Sequence, residues 1–415
     1  MASKVRLVVI GNGMAGARTV EEILARGGGE MFDIAVFGDE PFGNYNRIML
    51  SAVLEGTTDA GAILLNPLQW YEEHAIRLRA GLRAERILRF ARYVIGSDAS
   101  EEPYDKLIIA TGSRPFIPPI EGVSLLDGTL KPGVFGFRTI GDCERIAAYV
   151  AGKKRVAVIG GGLLGLECAR ALTKFDVEVH IINDAMHLMN QQIDPQAGAI
   201  LKSQIEKMGI RVHLGVGVRS INGEQRMTGL VLGNSELMDC EMAVFATGIR
   251  PNHELARSCG LTVERAIVVD DQMRSVDDPS IYAVGECVQH GGRTYGLVAP
   301  LWEQAKVLAD HITGRDPKAA YHGSRISTKL KVAGVELASM GSTTGRAGQP
   351  AFRHRRAAQT GDVRADSDGY PDLQLQRRRY GNSHRLRQGW AAHPPGGDGG
   401  DARRQGLRLV RVDGA

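Results

Sequence analysis

The chain has 415 residues, with 51 Lys and Arg against 47 Asp and Glu and an apolar fraction of 43%. These values are typical of a soluble protein with two or three domains, and no apolar run approaches the roughly 18 residues that suggest a membrane span. The N-terminus leads directly into a predicted strand without a signal-peptide pattern, so we expect a cytoplasmic location. The five cysteines lie at least 19 residues apart, which excludes Cys-x-x-Cys redox pairs and metal sites of short spacing.

A glycine-rich loop follows the first predicted strand, with glycines at Gly11, Gly13 and Gly16. In a dinucleotide-binding loop the first glycine allows the tight turn, the second admits the pyrophosphate and the third lets helix and strand pack closely. The phosphates then face a helix N-terminus, which favours negative charge. Residues 32–37 are predicted as the next strand, and Asp39 and Glu40 after it are candidates for binding a ribose. The alternative is an ordinary strand–turn–helix corner.

A second loop of the same spacing has glycines at Gly160, Gly162 and Gly165. Residues 177–182 are predicted as the following strand. The acid expected at its end is replaced by Asn183, with Asp184 one residue later. Two such loops imply two dinucleotides held at once, which is the minimum for passing a hydride from a nicotinamide to a flavin.

The alternation of strand and helix patterns from residue 5 to about 312 predicts an α/β fold. Three predicted strands end on small or acidic residues, and a proline is expected to open a helix; the segments are Ala110-Thr111-Gly112, Ala246-Thr247-Gly248, Gly285-Glu286 and Pro300.

In this order, the two loops, the two Ala-Thr-Gly segments and the Gly-Glu segment resemble the FAD-dependent pyridine-nucleotide oxidoreductases over about residues 4–345. Within that family, the segment 45–51, Tyr-Asn-Arg-Ile-Met-Leu-Ser, is similar to the subgroup of rubredoxin reductases and the assimilatory nitrite reductase large subunit. Gly285-Glu286-Cys287 and the segments 295–300, 303–305 and 327–332 resemble the nitrite reductase large subunit most.

The resemblance implies two doubly wound Rossmann-type domains. The FAD-binding domain would combine residues 1–118 and 251–316, with the NAD(P)H-binding domain, 119–250, inserted between them. An incomplete interface domain would occupy 317–345, and an Arg- and Gly-rich tail would occupy 346–415.

The resemblance also implies a site for each cofactor. Arg47 would lie along the FAD, Glu286 would bind its ribityl chain, and the helix after Pro300 would stabilise the reduced flavin. The alternative interpretations, without a role in cofactor binding, are a surface ion pair for Arg47 and a helix or turn cap for Glu286. The residues expected to bind FAD are Gly11, Gly13, Gly16, Asp39, Glu40, Arg47, Thr111, Gly112, Gly285, Glu286 and Pro300. Those expected to bind NAD(P)H are Gly160, Gly162, Gly165, Asn183, Asp184 and Gly248.

The expected chemistry is hydride transfer by positioning of the cofactors, with no catalytic side chain and no metal. NADH is expected over NADPH because no Lys or Arg lies between His180 and Asp194. Electrons would pass to an iron–sulfur or sirohaem acceptor outside this chain, since each cluster needs four thiolates or near equivalents.

The sequence favours the electron-input module of a nitrite reductase large subunit. The alternatives are a standalone NADH:rubredoxin or ferredoxin reductase and a truncated flavin-binding product without activity. No membrane partner is expected.

The tail, residues 346–415, has a different composition, with 14 Arg and no Lys, and 7 Asp and no Glu. It therefore carries a formal charge of +7, whereas the whole chain carries +4. The preferred hypothesis is a frameshift in a GC-rich gene, and the alternative is a disordered linker. An Arg-rich extension that binds nucleic acid is disfavoured, because the arginines are scattered among Asp, Gly and Pro with few aromatics. We expect no packed domain here.

Overall fold

The computed structural model describes residues 3–324 in full, and residues 327–332, 335–340 and 408–412 as backbone strands. The first segment of the chain forms β1 (Val5–Ile10), α1 (Met14–Leu24), α2 (Gly28–Met31), β2 (Phe32–Gly38), β3 (Asn44–Tyr45), α3 (Leu50–Glu55), β4 (Leu64–Asn66), α4 (Leu68–Glu73), β5 (Arg77–Ala80), β6 (Ala84–Leu88), β7 (Tyr93–Gly96), β8 (Glu101–Pro103), β9 (Lys106–Ile109) and β10 (Ser113–Pro115). The second forms β11 (Val134–Gly136), α5 (Ile140–Val150), β12 (Arg155–Ile159), α6 (Leu163–Leu172), β13 (Glu178–Asn183), α7 (Pro195–Lys207), β14 (Arg211–Leu214), β15 (Val218–Asn222), β16 (Gly229–Leu232), β17 (Leu237–Asp239), β18 (Met242–Phe245) and β19 (Ile249–Pro251).

The third segment forms α8 (Glu254–Ser258), β20 (Ile267–Val269), β21 (Ile281–Ala283), β22 (Val288–His290), β23 (Arg293–Thr294) and α9 (Val298–Ile312). The remaining strands are β24 (Ser327–Val332), β25 (Val335–Met340) and β26 (Arg408–Val412).

Two parallel five-stranded sheets confirm the predicted α/β class with two doubly wound units. The first has the order β21-β9-β1-β2-β5 and the second the order β11-β18-β12-β13-β14. Their central strands, β1 and β12, each end in four consecutive buried apolar residues, 7–10 and 156–159, as is typical of strands covered on both faces. Each unit also carries a three-stranded antiparallel sheet, β6-β7-β8 in the first and β15-β16-β17 in the second.

The first sheet takes its outer strand, β21, from the third segment of the chain, where β21 pairs in parallel with β9. Helix α9 from the same segment packs against α1. The first unit is therefore discontinuous, with the second unit inserted between its two parts.

The two units meet in a shared apolar core. Leu50 and Leu54 of α3 are buried together with Ile146 of α5 and Leu166 of α6. The chain crosses between the units through β10 and β19, which pair antiparallel. Because α3 follows directly after the segment with Arg47, that segment is held from the second unit as well as from the first.

Helix α9 differs from the prediction at its start. It begins at Val298, so Pro300 is its third residue and does not open it. The first four N–H groups of a helix have no partner within the helix, so a proline at the third position removes no hydrogen bond.

The expectation of an unstructured tail falls mostly outside the described residues. The exception is β26, which pairs antiparallel with β25 in a three-stranded sheet with β24. This single strand does not test the expectation that the tail forms no packed domain, which stays a prediction.

Candidate functional site

The first glycine loop closes the turn between β1 and α1 by backbone contacts that only glycine permits. Gly11 has a φ of +111°, and a Cβ there would overlap the carbonyl oxygen of Ala110. A Cβ on Gly16 would overlap the carbonyl of Gly11. Gly13 is different, because a Cβ on it would meet only Arg47 Nη2, at 3.9 Å. Gly13 therefore leaves space above the loop.

The second loop repeats this geometry. Gly160 has a φ of +116° and lies against the carbonyl of Ala246, and Gly165 lies against the carbonyl of Gly160. A Cβ on Gly162 would meet nothing within 4 Å. Gly13 and Gly162 are the N-cap residues of α1 and α6, and neither helix has a side-chain cap bond. Both helix N-termini thus offer backbone N–H groups to an anion.

The two loops exchange an asparagine and a glycine between equivalent positions. Asn12 lies between the glycines of the first loop and packs against Gly38 at the end of β2. In the second loop the intermediate residue is Gly161, and Asn183 ends β13. The equivalence follows from the hydrogen bonds, since the loop's first glycine donates to the residue before Gly38 in one unit and before Asn183 in the other.

This register corrects the interpretation that the second acid is one residue late. Asp184 follows Asn183 just as Asp39 follows Gly38, so the two aspartates occupy equivalent positions. Asp184 is exposed at the end of β13. Asp39 is also on the surface, where it forms an ion pair with Arg83 at 2.6 Å.

A pair of charged side chains lies beside the first loop. Arg47 Nη2 donates to Glu40 Oε1 at 2.7 Å, and the hydroxyl of Tyr45 donates to Glu40 Oε2 at 2.8 Å. Both members of the ion pair are about one-quarter exposed. Arg47 therefore forms the ion pair with Glu40 and also lies beside Gly13, at the open face of the loop.

Glu286 is held by two partners from distant parts of the chain. It accepts a hydrogen bond from Ser113 Oγ at 2.7 Å and forms an ion pair with Arg138. The carbonyl of Arg138 accepts a hydrogen bond from Arg47 at 3.4 Å. Ser113 and Arg138 therefore join the two predicted residues into one cluster, which we call the arginine cluster: Glu40, Tyr45, Arg47, Ser113, Arg138 and Glu286.

Sequence analysis did not single out Ser113 or Arg138. Arg138 precedes the N-cap of α5, Thr139, and matches no motif by itself. Its contact with Glu286 spans 148 residues of sequence, and no local spacing could have indicated it.

Thr111, Gly112 and Gly248 lie at the crossing between the two units. The Thr111 hydroxyl donates to the carbonyl of Asn252 at 2.6 Å, and Asn252 N–H donates to the carbonyl of Gly112 at 2.9 Å. Gly112 and Gly248 both have positive φ, at +64° and +105°. At the other predicted positions, Gly285 has a φ of +101° and donates to Gln304.

A carboxylate that the sequence did not indicate lies on α6. Glu167 follows Gly165 by two residues and has no hydrogen-bond or ion-pair partner among the described residues. Burial alone raises its pKa to about 7.

The five cysteines are unpaired, and all but Cys259 are buried. Burial raises the pKa of Cys143 to about 12 and that of Cys240 to about 11, so both are neutral thiols. Cys287 also has a raised pKa, and its Sγ contacts the carbonyls of Ile109 and Val284 at 3.6 and 3.4 Å. These residues pack as small apolar side chains.

Within the described part of the chain, no helix is long and apolar enough to cross a membrane. Among the same residues, no group of three or more His, Cys, Asp or Glu is arranged to hold a metal ion.

Comparison with known proteins gives one consistent result. A family model described as pyridine nucleotide-disulphide oxidoreductase matches residues 5–307. The chain is 46% identical to a nitrite reductase (NAD(P)H) of Bacillus subtilis over 338 residues, covering 81% of this chain and 41% of that protein. It is 31% identical to the rhodocoxin reductase of Rhodococcus erythropolis, covering 79% of this chain and 78% of that one. A solved ferredoxin reductase from Rhodopseudomonas palustris superposes with a TM-score of 0.73 at 27% identity, over 82% of this chain and 83% of that one.

Proposed function

The chain belongs to the pyridine nucleotide-disulphide oxidoreductase family, and from that premise we propose that it oxidises NADH through FAD and supplies electrons to an iron–sulfur or sirohaem partner. It would be the electron-input part of a nitrite reductase large subunit. The 46% identity to a nitrite reductase supports this assignment, and the chain spans 41% of that protein's length. The cytoplasmic location expected from the sequence is part of the proposal.

The observation that carries the proposal is the open face of the first loop. Gly13 leaves room for a pyrophosphate at the uncapped N-terminus of α1, and Arg47 lies at the edge of that space. A helix N-terminus and a guanidinium together suit a diphosphate. The residues present therefore fit FAD, which when bound would accept a hydride from the nicotinamide and pass its electrons to the partner.

The arginine cluster would orient the rest of the FAD. Glu286 has one oxygen engaged by Ser113 and Arg138, and we propose that its carboxylate also accepts hydrogen bonds from ribityl hydroxyls. Arg138 would hold that carboxylate in place. Glu40, paired with Arg47, and Asp39, at the end of β2, remain the two candidates for the adenosine ribose.

The second loop would bind NADH, with Gly162 facing the pyrophosphate and Asp184 accepting from a ribose 2′-hydroxyl. An exposed carboxylate at this position disfavours a 2′-phosphate by like charge. We therefore expect NADH to be preferred over NADPH. Anaerobic flavin-reduction kinetics with each cofactor test this, and a tenfold preference for NADPH, about 1.4 kcal/mol in kcat/KM, would contradict it.

A second candidate function is a standalone NADH:rubredoxin or ferredoxin reductase. It is favoured by length, since the chain covers 78% of the rhodocoxin reductase and 83% of the ferredoxin reductase from R. palustris. The third candidate is a product without activity. Its flavin would not be reduced by NADH, unlike that of the other two candidates.

Anaerobic titration of the purified full chain with NADH separates these functions. Bleaching of the flavin absorbance at one NADH per flavin excludes the inactive product. Reoxidation by added rubredoxin or ferredoxin at a rate faster than by oxygen would favour the standalone reductase. Reoxidation only by a sirohaem-containing nitrite reductase fragment would favour the electron-input module.

A further inference from the structure

The side-chain amide of Asn183 is fully used by the backbone around it. Its Oδ1 accepts from the N–H of Gly161 at 2.9 Å, and its Nδ2 donates to the carbonyls of Ala185 and His187 at 3.0 and 3.2 Å. The residue is buried, with 6% of its surface exposed. Asn183 thus ties the second glycine loop to the turn that follows β13.

A second link runs through the same glycine. The carbonyl of Gly161 accepts from the N–H of Met189 at 2.9 Å. A Cβ on Gly161 would lie 2.6 Å from Leu188 Cδ2 and 2.9 Å from Asn183 Cγ. The space above Gly161 is therefore filled by the asparagine and the turn, which explains why this position of the loop is itself a glycine.

An acid in place of Asn183 would not fit. A carboxylate at residue 183 could accept from Gly161, but it would face the carbonyl oxygens of Ala185 and His187 with no proton to donate. The aspartate would lose two hydrogen bonds, and its carboxylate and the two carbonyl oxygens would repel one another electrostatically, which is destabilising in a buried site.

We propose that Asn183 is a positioning residue for the nicotinamide cofactor, which holds the second loop and Asp184 in their binding geometry without touching the ligand. The proposal rests on the proposed binding of NADH at this loop. It assigns recognition of the ribose to Asp184 alone and predicts that an acid in place of Asn183 weakens NADH binding.

The test compares Asn183→Asp with the wild-type full chain, each loaded with FAD, in anaerobic stopped-flow reduction by NADH. At pH 8 we expect the Kd for NADH to rise roughly tenfold or more, about 1.4 kcal/mol or more. The flavin-reduction rate at saturating NADH should stay within about twofold, because the reacting ends of the cofactors are unaffected. Near pH 5 the Kd should approach the wild-type value, because a protonated carboxyl can donate one of the two lost hydrogen bonds.

Asn190→Asp is the matched control, since Asn190 is exposed on the same segment and the charge change is the same; its Kd should not change. Gly161→Ala is a second variant that breaks the link without adding charge, and it should raise the Kd at both pH values. An Asn183→Asp variant that binds NADH within twofold of wild type at pH 8 would overturn the proposal.

Thermal unfolding gives a readout that does not depend on NADH. The Tm of Asn183→Asp should lie below that of the wild type by more at pH 8 than at pH 5, and equal values at both would also overturn the proposal. In one outcome the two proteins show the expected difference in Tm while the wild-type flavin is not bleached by NADH. In that case the proposed function fails and the structural role of Asn183 stands.

Discussion

The two α/β units have the same backbone geometry at their glycine loops but differ in the charged residues around them. In the first unit, Arg47 lies 3.9 Å from the position of a Cβ on Gly13 and belongs to the arginine cluster. In the second unit the equivalent Gly162 faces open space. The same loop can therefore hold phosphates by its backbone alone or by backbone and guanidinium together.

This difference fits the two roles that we propose. A flavin must stay bound through many turnovers, whereas a nicotinamide must leave after each one. Charge-assisted hydrogen bonds are about twice as strong as neutral ones, so in the proposed function a guanidinium beside the first loop would lengthen the residence of FAD. The open second loop is suited to exchange.

The largest expected effect comes from a branched side chain at the open glycine. Gly13→Val should abolish FAD binding, because the side chain occupies the space that the pyrophosphate must enter, while the surrounding backbone has room for it. The measurement is the ratio of flavin absorbance to protein absorbance after purification.

Gly162→Val is its matched control in the second unit. It should purify yellow and fail to be bleached by NADH. Yellow Gly13→Val protein with a normal flavin ratio would show that the first loop is not the FAD site.

A smaller loss is expected when the guanidinium of the first unit is removed. Arg47→Gln should weaken FAD binding about 10- to 100-fold, or roughly 1.5–3 kcal/mol, which is typical of a hydrogen bond to a charged group. Fluorescence titration of the apoprotein with FAD measures the Kd.

Arg83→Gln is the control for Arg47, since Arg83 also forms an ion pair with an acid after β2 but lies on the surface. In this variant the Kd for FAD should change by less than about fivefold, which corresponds to about 1 kcal/mol of binding free energy. Equal effects of the two substitutions would show that the position of Arg47 beside Gly13 gives it no special role in FAD binding.

Local spacing predicted the parts of this site that local sequence determines. The glycines of both loops, the strand 32–37 and the Gly-Glu segment were identified because a tight turn or an apolar run constrains residues close in sequence. The family resemblance added the role of Arg47, and that role remains a proposal.

Contacts between distant segments could not be predicted in the same way. Glu286 meets Ser113 and Arg138 across 173 and 148 residues, and only the folded sheets bring those positions together. The sequence alone also did not show that Asn12 and Gly161 occupy equivalent positions, because this is seen only when the registers of the strands in the two units are aligned.

A third prediction concerns equivalent positions on the two helices that follow the loops. Arg18, two residues after Gly16, forms ion pairs with Glu21 and Glu22, whereas Glu167, two residues after Gly165, is half-buried and has no partner among the described residues. Because its pKa is raised to about 7 from the model-peptide value of 4.5, the folded state holds its proton more tightly. The stability of the protein should therefore fall as pH rises from about 4.5 to about 7.

Glu167→Gln removes this penalty. The variant should be more stable than the wild type at pH 8, by at most about 3 kcal/mol, and the difference should vanish below about pH 4.5. Urea unfolding at the two pH values measures it. A wild type that is as stable as the variant at pH 8 would show that Glu167 ionises freely.

The smallest effect is expected in acid, at the strand of the second unit. His180 on β13 occupies the place of Ala35 on β2, and its Nδ1 lies 2.9 Å from Nε2 of His213 on β14. Burial lowers the pKa of His180 to about 4, against the opposing effect of Glu178, and burial also lowers the pKa of His213. Between about pH 6.5 and pH 4 these histidines are therefore protonated in the unfolded chain but remain neutral in the folded chain. The free energy of unfolding decreases as the pH falls through that range.

His180→Gln should reduce this loss. The relevant quantity is the difference in unfolding free energy between pH 8 and pH 5, which should be smaller in the variant by about 1–2 kcal/mol, discounted for a ring that is only partly shielded from solvent. Using the difference between two pH values cancels the packing change that the substitution itself causes. Since the first unit has an alanine at this place, acid should loosen the second unit first, and the flavin should be retained at a pH where NADH no longer bleaches it. Loss of both functions at one pH, unchanged by His180→Gln, would show that the two units lose their structure together.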